Sequence, residues 1–155
     1  MHRLLPLLAA PALALGTLGT LAAPGAAAAP SDSDLRVVRL DPDPVAPGGT
    51  TTVHGFVANG GPQTTGSPFT VLVELPPGFS PEGPYFPSSC TATGRTVSCT
   101  FPAGLPPLRS ATALVPVRAD ARLPHGLKAV GQVRVVSADD RDPANDRTPF
   151  TLTVS

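Results

Sequence analysis

The chain has 155 residues, with 11 Lys+Arg against 11 Asp+Glu, 21 Pro, 15 Gly, two Cys and no Trp. Balanced charge gives no electrostatic basis for holding nucleic acid or an anionic membrane surface, and the length suits one domain able to bury a core. So much Pro and Gly approaches the composition of disordered chains, but here both cluster between segments of alternating apolar and polar character, as turns do between strands.

Met1-His2-Arg3 sets one basic side chain before an apolar stretch from Leu4 to Ala23, which ends in Pro24-Gly25-Ala26-Ala27-Ala28-Ala29-Pro30. A positive start, an apolar centre and a small-residue end are the layout of a secretory leader. About twenty apolar residues could also span a bilayer, but Pro6, Pro11, Gly16 and Gly19 interrupt this run and no basic stop follows it. The expectation is a leader over 1–28, a short extension over 29–34 and one domain over 35–155. The exported chain is expected to carry no membrane anchor.

Period-two alternation predicts seven or eight strands. The first runs from Leu35 to Leu40 and ends at Asp41-Pro42-Asp43-Pro44; the second runs from Thr51 to Ala58 and ends at Asn59-Gly60-Gly61-Pro62. In the third, Phe69, Val71, Val73 and Leu75 form one apolar face, and Pro76-Pro77-Gly78 stops it. A two-residue turn at Gly94-Arg95 then pairs Thr93 with Thr96, Ala92 with Val97, Thr91 with Ser98 and Cys90 with Cys99. Gly at the first turn position suits a type II′ hairpin. Counting outward puts the cysteines on a non-hydrogen-bonded pair, where Cα atoms approach to about 4.5 Å, within disulfide range. In an oxidising compartment such a pair reads as one disulfide, with Ala92, Val97 and Phe101 on the same face against the core.

The next strand, Ala111 to Arg118, contains Pro116, which cannot donate to a ladder and points to a sheet edge. Leu127 to Ser137 carries Leu127, Ala129, Gly131, Val133 and Val135 on one face. The last strand runs from Phe150 to Val154, just past Pro149, with Phe150, Leu152 and Val154 facing one way. Strands at this spacing read as an all-β, two-sheet antiparallel sandwich of immunoglobulin-like type with one hairpin disulfide.

Val57-Ala58-Asn59-Gly60-Gly61-Pro62, Leu75-Pro76-Pro77-Gly78-Phe79, the Cys90 and Cys99 pair, and Asp142-Pro143-Ala144-Asn145-Asp146 before a final strand follow one another in this order. In that pattern the chain resembles the bacterial surface-protein repeat called domain of unknown function eleven. It departs from that repeat in three ways. Asp146 stands where a second Asn is usual, Leu108-Arg109 replaces the Gly usual just before Ser110, and there is one domain where several are typical. The resemblance implies an immunoglobulin-like fold, an extracellular location and non-catalytic adhesion or display.

No catalytic constellation emerges. His54 lies on a strand and His125 in a turn between Pro124 and Gly126, neither near a nucleophile-elbow pattern. The run Asp139, Asp140, Asp142, Asn145, Asp146 has oxygen ligands enough for Ca²⁺ but lacks the Gly and distal Glu of an EF-hand loop, so structural turn chemistry is the preferred reading and calcium the competing one. Lys128, the only lysine, has Val130 and Gln132 as same-face neighbours and no Asn to crosslink. The Pro-rich loop from Pro76 to Ser89 concentrates Phe79, Tyr85 and Phe86. Aromatics on a stiff loop can anchor a partner, or fold back to cover the end of the sandwich, the preferred reading. The expectation is a secreted, monomeric, non-enzymatic module without cofactor or metal, binding an extracellular protein or envelope component, with Phe79, Tyr85 and Phe86 as candidate contacts. The rivals are a carrier of a small apolar ligand and a purely structural protein.

Overall fold

Alternation decides which face of each strand is dry. Phe69, Val71 and Val73 are buried, as are Val53 and Val57, Val115 and Val117, Val133 and Val135, and Phe150 and Leu152. These are the inner faces of two antiparallel sheets that meet in one core. The computed structural model describes residues 30–155, so the leader expected over 1–28 lies outside the described residues.

One sheet contains β1 (Leu35–Val38), β2 (Thr50–Asn59), β7 (Ser110–Ala119) and β4 (Phe79–Pro81), in the order β1-β2-β7-β4. The other contains β5 (Thr91–Thr93), β6 (Thr96–Phe101), β3 (Phe69–Glu74), β8 (Lys128–Ser137) and β9 (Arg147–Thr153), in the order β5-β6-β3-β8-β9. The additional strand relative to the sequence reading is β4, hidden in the Pro-rich loop. The hairpin holds the expected register, Thr91 with Ser98, Ala92 with Val97 and Thr93 with Thr96, and Cys90 and Cys99 are joined with Cα atoms 4.0 Å apart. Gly94 has φ 59°, the left-handed backbone that this turn requires. Val97 and Cys99 are buried, but Ala92, on the edge strand β5, is exposed rather than set against the core.

Pro116 and Pro149 sit where no ladder donor is needed. Pro116 lies in an inner strand, not at an edge, between β2 and β4. Its carbonyl accepts from Glu82 N–H at 2.9 Å, so its nitrogen faces the same flank, just beyond the last residue of the short β4. Pro149 is inside β9 rather than before it, opposite Gln132. The Thr151 N–H points away from β8, toward the Asp41 carboxylate at 2.8 Å, and by alternation the Pro149 nitrogen also faces the free edge. Gly131, opposite Phe150, lies under that ring; a Cβ there would strike the ring and sit 2.7 Å from the Glu74 carbonyl.

The chain ahead of β1 and the segment after it bind the sandwich together. Ser33 is buried and bridges to Asp140, while Val45 N–H donates to Thr153 O and Ser155 N–H to Val45 O, both at 2.9 Å. Asp41 and Val45 thereby occupy the edge of β9 that would otherwise be open to another strand.

The register makes unequal demands on neighbouring residues. Val97→Asp should abolish cooperative unfolding, because it places an unpaired charge in the core. Ser98→Asp, on the outer face, should shift Tm by no more than about 2 °C. Replacing both cysteines by Ala should leave a folded β-protein destabilised by about 2–3 kcal/mol, the loop-closure entropy of a ring this short. Circular-dichroism melts of the three variants check the order.

Candidate functional site

The candidate aromatic residues part company in the fold. Phe79 opens β4 opposite Ala119 and is only 3% exposed, so its ring belongs to the core. Tyr85 is partly buried against that core, whereas Phe86 is 58% exposed. After β4 the chain returns to β7 for one residue: Phe86 N–H donates to Leu114 O at 3.1 Å and Leu114 N–H to Phe86 O at 2.8 Å. Bridge partners in an antiparallel pair point to the same side. Leu114, set between buried Ala113 and Val115, faces outward, and so does Phe86.

Register carries this outward face across the sheet. Leu114 lies opposite His54, and Phe56, two residues along β2 from His54, lies opposite Val38. Leu40 and His54 border a common cleft of about 460 Å³ at the end of β2. The outer side of the four-stranded sheet therefore presents Val38, Phe56, Leu114 and Phe86 where an antiparallel sheet normally shows polar residues to water. Sequence reasoning found Phe86 and missed the others. The signal was present as large apolar residues in the polar phase of strands two and seven.

The opposite chemistry gathers at the β8–β9 connection. Asp139 is buried and accepts from Gly66 N–H at 2.6 Å, Ser67 N–H at 2.7 Å, Ser67 Oγ at 2.7 Å and Ser31 Oγ at 2.9 Å. Burial alone raises its carboxyl, but the Ser67 and Ser31 hydroxyls with the Ser67 and Gly66 amides hold it below the usual carboxylate value. Asp140 accepts from Leu35 N–H at 3.0 Å and Asp142 N–H at 3.0 Å, and Asp142 caps the 3-10 turn Pro143–Asn145 through Ala144 N–H. Asn145 Nδ2 donates to Asp34 Oδ1 at 2.9 Å. Asp146 is pushed up to about 7, first by burial, then by its hydrogen bond to Asp140 and the nearby charges of Asp140, Asp142 and Asp34. These carboxylates fasten loops. Among the described residues no group of three His, Cys, Asp or Glu side chains is placed to hold a metal ion.

The remaining singled-out residues lie apart. His125 Nδ1 pairs with the Ser155 carbonyl oxygen in the turn before β8, while His54 sits on the outer face of β2. Lys128 is exposed and opposite Thr153. A cleft of about 460 Å³ lined by Gly48, Phe79, Arg118 and Asp120 opens directly to solvent.

No protein-family profile and no curated protein sequence matches the chain. Solved structures do. A chain of the CaDoc0917–CaCohA2 complex aligns over 76% of this chain and 99% of that one, 17% identical, with a TM-score of 0.54. BcpA, the major pilin subunit of Bacillus cereus, aligns over 79% of this chain and 39% of that longer one, 9% identical, with a TM-score of 0.54. The fold is immunoglobulin-like. At such identities the likeness is one of architecture, and the chemistry must come from the faces and loops themselves.

Two carboxyls give stability opposite slopes with pH. Asp139 lies below its unfolded value, so its contribution is present above that value and is lost as pH falls through the folded one. Asp146 lies above the unfolded 3.8, so its contribution is complete below that value and is lost as pH rises through about 7. Asp146→Asn should therefore raise Tm at pH 8 and change it little at low pH, and Asp139→Asn should lower Tm at neutral pH. Thermal melts across pH check both signs.

Proposed function

We propose that the protein is an exported, non-catalytic binding module that docks a protein or cell-envelope component on the outer face of its four-stranded sheet, with Phe86 as the anchor. The observation that carries this reading is the row of outward apolar side chains from Val38 through Phe56 and Leu114 to Phe86. Apolar side chains held outward on a rigid sheet favour association, because their burial releases water at roughly 25 cal/mol per Å² and little entropy is lost in ordering. Phe86 is fixed to Leu114 by two backbone hydrogen bonds, so the ring is presented at low conformational cost.

The leader-like start and the Cys90–Cys99 bridge support an oxidising, extracellular location. The resemblance to the bacterial surface-protein repeat extends the same reading to a cell-surface setting. The similar structures include a two-protein complex and a pilin subunit, and a role in protein association is in keeping with both.

Phe86→Ser should weaken binding of the exported domain to intact cells of the producing organism by tenfold or more, the loss typical of an aromatic anchor of about 2 kcal/mol. Its Tm should stay within about 2 °C, since the ring is mostly exposed. Undiminished cell binding by the folded variant would overturn this reading.

A further inference from the structure

The outer face of the five-stranded sheet has a different character. Lys128 and Arg134 on β8 and Arg147 on β9 point outward, and register sets Arg134 directly opposite Arg147, with Leu72 on its other flank. Like charges opposite one another destabilise an antiparallel pair. Arg39, Arg118, Arg122 and Arg141 each hold a carboxylate within ion-pair distance; among the described residues Arg134, Arg147 and Lys128 hold none. Leu72, Glu74, Thr96, Gln132, Arg134 and Arg147 line a depression of about 360 Å³. Beside it on β8, Val130 is 64% and Val136 47% exposed.

We infer that this depression receives a protein segment in which acidic side chains alternate with aliphatic ones. The paired guanidiniums bracket one carboxylate, which relieves their mutual repulsion and matches their planar forks of donors. Val130 and Val136, on the same outer face of β8 as Arg134, offer apolar contact to aliphatic side chains farther along the segment. Glu74 in the same depression repels a dense polyanion, so isolated carboxylates spaced by uncharged residues fit this surface better than a sulfated or phosphorylated polymer does. The inference shares with the proposed function only the premise of a binding module. Its surface lies on the opposite side of the sandwich from Phe86 and is tested apart from it.

The test uses the exported domain with its disulfide intact and three immobilised probes: a short peptide alternating Glu and Val, its Gln and Val counterpart, and dextran sulfate. The Glu peptide should bind at low salt, release as ionic strength rises, and bind Arg147→Thr about tenfold more weakly while binding Phe86→Ser as it does the parent. The unliganded Arg147→Thr protein should melt about 1–4 °C higher, since the repulsion across the strand pair is gone. Failure of the Glu peptide to bind, equal binding of the Gln peptide, undiminished binding by Arg147→Thr, tighter binding of dextran sulfate, or a lower Tm for the variant would each overturn the inference. Loss of peptide binding in Phe86→Ser would place the contact on the other sheet and overturn it as well.

Discussion

The two sheets are held together across a layer built mostly of valine, in a chain whose aromatic content is only 5% and which has no Trp. Short branched side chains bring the sheets close. At Gly55 on β2 an added Cβ would lie 2.8 Å from Val71 Cγ1 on β3 of the facing sheet. A thin layer of this kind packs densely along its length, with Phe69, Phe79 and Phe150 the few rings it buries, and its ends still need closing. The loops must do that, and closing an end with loops buries backbone groups that need partners.

Buried polar side chains meet that need. Asn59 uses all its capacity: Oδ1 accepts from Asp34 N–H at 3.2 Å and Gly61 N–H at 3.0 Å, and Nδ2 donates to Gln63 O at 2.8 Å and Leu105 O at 3.0 Å. Thr65 Oγ1 accepts from Gly104 and Leu105 N–H, and Asp139 ties the Gly66–Ser67 turn to Ser31. Each unpaired group at such a depth would cost about 1–3 kcal/mol, so these three residues are structural knots rather than an open site. With this end knotted and the β9 edge occupied by Asp41 and Val45, the outer faces of the two sheets are broad surfaces open to partners. One is apolar around Phe86 and the other cationic around Arg134 and Arg147.

Much of this architecture was legible from alternation. The phase of Phe69–Leu75, the hairpin pairing around Gly94 and the buried side of β9 all follow from period two and turn chemistry. Short, non-local features were not. β4 has three residues and exists because β7 offers it a flank, so no local pattern announces it. Pro149 reads as a strand terminator unless the free edge of β9 is known, and Pro116 reads as an edge residue unless β4 is known to end beside it. Phe79 and Phe86 look equivalent in one Pro-rich loop, yet pairing with β7 turns the first inward and the second outward. Leu108 has φ 59° and is 88% exposed, a left-handed backbone that favours Gly, and only the missing Gly before Ser110 marked that place in the sequence.

The central claim is that the apolar outer face of the four-stranded sheet is the surface that meets a partner. Hydroxyl-radical footprinting of the folded domain, free and bound to cells of its own source, reads that face directly, because solvent access to each side chain is measured without altering it. The account predicts that oxidation of Phe86, Leu114, Phe56 and Val38 falls together on binding while that of Leu108, at the knotted end, is unchanged. Protection confined to Leu108 and the loops around Asn59, with Phe86 as reactive as in the free protein, would contradict it.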